Sequence, residues 1–209
     1  LRATPPIRAC GCSDHDVLYA GERRLSVTQL AASADVAADA IVVAATASAD
    51  RWRNAQVRLK LVPESLAAAA KVQLGGLRAT ELLAAMAPGA GLQVRVPSID
   101  ATLDAETDGR SIVRASLVAA APQFGLARGA GTVDLGTLRL DLDALRDDGS
   151  LSLDMKQFAL GALLPAATGT LRTRAGGTAP ALELHVPSLD LARVRETALA
   201  LGGDLAAVR

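Results

Sequence analysis

Aromatic side chains are nearly missing from this sequence: 209 residues include one Trp, one Tyr and two Phe. Trp52, Tyr19, Phe124 and Phe158 are too few and too scattered to build a stacking platform for sugars or bases. A surplus of one charge is missing too, since 22 basic residues face 22 acidic ones. With no basic run to neutralise phosphates, nucleic acid is excluded as a partner. Long apolar runs are also lacking. The longest, Ala40 to Ala49, is diluted by Thr and Ser and falls well short of the roughly 20 residues a spanning helix needs. Neither an initiator Met nor a signal-peptide pattern is present, and DLAAVR at 204–209 reads as a helix begun at an Asp cap and cut short. The expectation is a segment of a longer protein, with any anchor or targeting signal outside it.

What the chain does contain is aliphatic. Half of it is hydrophobic, chiefly Ala, Leu and Val, which is too apolar and too weakly charged for a disordered chain. The length suits one or two domains with ample core material. The arrangement of the aliphatic residues is most legible in LRLDLDALRDDGSLSLDM, Leu138 to Met155. Leu138, Leu140 and Leu142 alternate with Arg139, Asp141 and Asp143, and Leu151, Leu153 and Met155 alternate with Ser152 and Asp154. Ala, Leu and Arg favour helix, but these leucines would scatter around a helix and share one face of a strand. Asp148-Gly149 supplies a two-residue turn. That turn sets Leu142 opposite Met155, Ala144 opposite Leu153 and Asp141 opposite Lys156; it also sets Asp143 against Asp154, a like-charge conflict.

The same pattern recurs. Ser98–Gly109 and Arg110–Ala120 read as a second hairpin turning at Thr107-Asp108-Gly109, and Arg23–Leu30 as a strand after a turn at Ala20-Gly21-Glu22. Val57–Leu61, Leu92–Val96 and Leu182–Val186 are short alternating strands. Each of these three runs into Pro63, Pro97 or Pro187, which cannot donate to a ladder, and then into Ser and Ile or Leu. This makes a weak internal repeat of strand, Pro and helix over residues 51–209, with residues 1–50 of uncertain assignment. Helices are expected after Ser188 as cap, with Leu191, Val194, Ala198 and Leu201 on one face and Gly202-Gly203 as stop, and between Thr80 and Pro88-Gly89. In the first copy the corresponding stretch ends at Gly75-Gly76. Ala31–Ala49 and Ser116–Ala121 fit helix or strand.

Chemistry-bearing residues are sparse. Cys10, Cys12, Asp14, His15 and Asp16 form the single dense cluster of ligand types. It reads as a polar loop with two incidental thiols, as a disulfide in an oxidising compartment, or as part of a metal site lacking its other ligands. His185 stands three residues before Ser188, without a nucleophile-elbow motif. The pairs Asp147-Asp148 and Glu106/Asp108 each precede a turn Gly, which explains them without catalysis. Gly75-Gly76 and Gly129-Ala-Gly131 lack the strand–helix context of a phosphate loop. The expectation is a protein that is not an enzyme and needs no cofactor or metal.

An amphipathic sheet must bury its apolar side against another sheet, helices or a ligand. A closed sandwich with a dry core and an open groove for acyl chains are both consistent with the pattern. The alternating strands, the Ala/Leu/Asp/Arg-heavy composition and VPSLDLARVRETALALGGDLAAVR (186–209) resemble the AsmA-like superfamily of bacterial envelope proteins, which includes TamB- and YhdP-type members. The resemblance covers residues 50–209 and LDLARVRETAL is similar to the strand-to-helix connection recurring there. It implies a mainly β fold: a curved antiparallel sheet forming an elongated apolar groove or open sandwich, with two or three short helices. It also implies a periplasmic location, an inner-membrane anchor outside this chain, and phospholipid passing between the two membranes. The groove lining expected on that basis is Leu138, Leu140, Leu142, Leu151, Leu153 and Met155, joined by Leu182, Leu184, Val186, Val94 and Val96. The partners implied are a phospholipid or other acyl-chain ligand, other segments of the same chain, and envelope proteins of outer-membrane assembly. Arg139, Asp141, Asp154 and Lys156 are expected to keep the outer face soluble.

Overall fold

The computed structural model describes residues 7–8, 12–20, 23–78, 92–173 and 180–202. They form one open antiparallel sheet of thirteen strands and, among the described residues, a single helix. The strands are β1 (Ile7–Arg8), β2 (Cys12–Ala20), β3 (Arg23–Val36), β4 (Ile41–Ala49), β5 (Trp52–Val62), β6 (Ala67–Leu77) and β7 (Leu92–Arg95). They continue as β8 (Ile99–Thr107), β9 (Val113–Arg128), β10 (Gly131–Asp147), β11 (Ser150–Leu160), β12 (Leu164–Thr173) and β13 (Ala181–His185), before helix α1 (Leu191–Ala200). Order in space follows order in sequence, β1-β3-β4-β5-β6-β8-β9-β10-β11-β12-β13, with β2 also on β3 and β7 also on β9. From β3 to β6 and from β8 to β12 consecutive hairpins of alternating sequence produce this meander, because short turns place each next strand beside the last.

The β10–β11 hairpin has the anticipated turn. Asp148 and Gly149 both take positive φ, 41° and 80°, the left-handed pair that matches the twist of the flanking strands. Leu142 faces Met155, Asp143 faces Asp154 and Ala144 faces Leu153. Asp141 does not meet Lys156. A bulge between Asp141 and Leu142 sets Asp141 opposite Gln157 and leaves Lys156 as the extra residue.

The stretch of the first copy that ends at Gly75-Gly76, the counterpart of the helix after Ser188, lies in strand β6. Its alanines sit between β5 and β8, and two ladders outweigh the helical propensity of an Ala run. Ala31–Ala49 resolves into β3 and β4, and Ser116–Ala121 lies inside β9. The β8–β9 connection is a five-residue loop: Thr107 pairs Val113, and the Asp108 carboxylate accepts from the Arg110 and Ile112 N–H groups at 2.9 and 3.1 Å. These bonds hold the Asp108 carboxyl below its ordinary pKa. In α1 the cap is Asp190 and not Ser188; its carboxylate accepts from the Arg193 N–H at 3.0 Å. The helix expected from Thr80 to Gly89, the turn at Gly21-Glu22, Cys10 and the 204–209 stretch lie outside the described residues.

Burial is scarce and uneven. Among the described hydrophobic residues, Val96, Ala121, Ala127, Leu135, Ala159 and Ala167 are buried at one end of β9 to β12, while only Val27, Ala40 and Ala55 are buried elsewhere. At that end the ladders shift register repeatedly, between Asp134 and Leu138 and between Met155 and Leu160. Helix α1 docks there on β10, and the Asp190 N–H donates to the Leu163 carbonyl. Close backbone approach requires glycine: a Cβ on Gly131 would lie 2.0 Å from the Ala200 carbonyl oxygen.

Candidate functional site: an uncovered apolar face

Side chains of directly opposed residues in a ladder lie on the same face, so the register assigns the faces. One line of partners runs through Ala34, Val43, Leu59, Ala70, Ala105, Ala115, Ala144, Leu153, Leu171 and Leu182, across ten strands. The next parallel line includes Val57, Val72, Leu103, Leu117, Leu142 and Met155 and ends at Leu184; the one beyond includes Leu30, Leu74, Leu140 and Phe158. None of these three lines contains a polar side chain.

One residue along, the other face is built of a different chemistry. Ser33, Ala44, Arg58, Lys71, Asp104, Ser116, Asp143, Asp154, Thr170 and Glu183 are partners in sequence across the same ten strands. Opposite charges pair over this face: Lys71 with Asp104 at 3.3 Å, Arg114 with Glu106 at 3.4 Å, and Lys156 with Asp143. The bulge resolves the Asp143/Asp154 conflict by inserting Lys156 among carboxylates. Its ammonium is held above its ordinary pKa by the hydrogen bond and charge of Asp143, then by Asp141 and Asp154. These pairs are exposed and contribute little stability; their effect is to keep the face wettable.

Both faces carry hollows. On the charged face one of about 730 Å³ spans residues from Val42 to Asp154 and includes the Lys71–Asp104 and Arg114–Glu106 pairs. On the apolar face one of about 340 Å³ is bordered by Leu59, Leu61, Ala68, Ala105 and Val113.

Of the eleven residues anticipated as groove lining, the register sets eight on one sheet face. Leu138, Leu140, Leu142, Leu151, Leu153, Met155, Leu182 and Leu184 share the apolar face by register. Leu182 and Leu184 are 72% and 62% exposed. Val186 follows β13, half-exposed. Val94 pairs Leu126 in β7, away from those ladders, and Val96 is only 1% exposed at the break between β7 and β8. Val96 therefore belongs to the enclosed corner and not to the open face. The apolar residues of β3 to β9, such as Leu59, Leu61 and Leu103, escaped the sequence reading as lining, although VRLKL already marked the first two as alternating.

Among the described residues no second layer lies on the apolar face; contacts join ladder neighbours, with α1 on β10. No group of three His, Cys, Asp or Glu side chains there stands together as a metal set. His185 closes β13 opposite Thr168, and Ser188 lies in the following loop. No described helix is long and apolar enough to cross a membrane. Comparison with known proteins returns no match to a family model, a curated protein or a solved structure.

Proposed function

We propose that the apolar face binds acyl chains, and that the chain is a non-enzymatic, periplasmic segment of an AsmA-like envelope protein carrying phospholipid between inner and outer membranes. The observation that supports this reading most directly is the extent of the uncovered field. Ten strands at about 4.8 Å and three lines at about 6.8 Å give a field on the order of 800 Å². The largest patch on an ordinary monomer is about 300–600 Å². From Leu138 to Ala144 the face runs about 20 Å along β10. That exceeds the roughly 15 Å of one leaflet's hydrocarbon, so a full acyl chain fits lengthwise. Each 200 Å² of apolar surface removed from water on this face would contribute about 5 kcal/mol.

A photo-crosslinking residue at Leu140, introduced in cells, tests the assignment. Covalent phospholipid adducts are expected there and not at Arg139 on the opposite face. Capture of protein alone at Leu140 would count against a lipid-carrying face. It would favour a second reading, an interaction module of outer-membrane assembly. That reading is supported by the outer edge of β13, which pairs with no further described strand and whose five residues are all exposed and suit strand addition.

A further inference from the structure

We infer that Arg146 marks one end of the acyl-binding face as the seat of an anionic headgroup, so that the amphiphile taken up is a negatively charged lipid. The inference rests on the acyl-chain reading and adds polarity and headgroup class to it. Arg146 pairs with Val113 on β9 and Leu151 on β11, which places it on the apolar face, one line beyond Ala144. In that line the other polar residues are Thr107 and Thr173. Both hydroxyls are committed locally, Thr107 accepting from the Gly109 N–H and Thr173 donating to the Leu151 carbonyl. Arg146 is the line's sole ionisable group, and its exposed side chain makes no hydrogen bond or ion pair with a described residue. Cations on the other face, by contrast, include several with carboxylate partners.

A guanidinium offers five donors in a fork that matches phosphate or carboxylate oxygens. From Arg146 the face runs toward Leu138 for about 27 Å, with Ala144, Leu142 and Leu140 between, so a headgroup at Arg146 aligns its tails with the uninterrupted leucine lines. Arg53, past the opposite border, lies against Gly76 and outside these lines. An uncharged amphiphile would gain the same apolar contact but nothing from Arg146. A zwitterionic one would bring its own cation beside the guanidinium.

Native mass spectrometry of the chain with phosphatidylglycerol and phosphatidylcholine of identical acyl chains tests this. Wild-type protein is expected to bind phosphatidylglycerol about tenfold more tightly, and Arg146→Gln to lose that preference while changing phosphatidylcholine binding less than about twofold. Arg146→Lys should retain part of the preference, and Arg139→Gln on the charged face should leave both affinities unchanged. Equal binding of the two lipids, unaffected by Arg146→Gln, would overturn the headgroup assignment and leave acyl-chain binding standing. Binding of neither lipid to the wild type would overturn both.

Discussion

The corner where β9 to β12 meet α1 and the field from β3 to β13 are made of the same kinds of residue and solve burial in opposite ways. In the corner, bulges and glycines break the ladders, strands bend, and small side chains such as Ala121, Ala127 and Ala167 are enclosed. In the field the ladders run straight for several residues and the aliphatic side chains stay partly in water. Enclosure here follows from irregularity of the backbone, since hydrophobicity alone is as high in the open region. The corner therefore holds most of the enclosed apolar side chains, and the field most of the exposed ones.

The sharpest way to break this contrast is to place one charge in each region. Val96→Asp puts an unpaired carboxylate into the most enclosed site and should cost at least about 3 kcal/mol, read as a large fall in the urea midpoint. Leu182→Asp on the exposed edge should change stability by less than about 0.5 kcal/mol. Similar losses at the two sites would erase the distinction.

A second, smaller effect tests how α1 is held. Gly131→Ala forces the Ala200 carbonyl to move and should cost about 1–3 kcal/mol. Far-UV circular dichroism with thermal melting would read the loss. An unchanged melting temperature would mean that α1 does not support the corner.

The third concerns the field's charged side. Because Asp143 raises the folded-state pKa of Lys156 above its ordinary 10.5, the contribution of this pair is fully present below that value. It disappears as pH rises through the higher folded value. Stability measured from neutral to strongly alkaline pH should therefore fall less steeply in Lys156→Gln than in wild type, by a small margin. Parallel curves would sink the assignment.

Much of the field was legible in the sequence. Alternation over Leu138–Met155 and the Asp-Gly turn determine the hairpin and most of its register, because both signals are local. The bulge at Lys156 was not legible, since an extra residue in a strand leaves no mark in composition. The alanines of β6 were misleading for a related reason: Ala is indifferent to period, and only the neighbouring ladders decide its state. Val96 looked like the inward residue of an ordinary strand. Its enclosure depends on β7 pairing with the far half of β9, a contact about thirty residues away in sequence. Arg146 was passed over for another reason: the alternation breaks at Leu145-Arg146, which puts the cation on the leucine side, as its partners Val113 and Leu151 show.

Among the described residues the strands contact chiefly their ladder neighbours, with a consequence for how the molecule can vary. A fold in which each strand touches just the strands beside it is quasi-one-dimensional, so its free energy is nearly a sum over adjacent pairs. Whole hairpins can then be gained or lost with little disturbance to the rest, as beads on a string. The greasy side widens in proportion to the number of such beads, while its length from rim to rim remains that of a single hairpin arm.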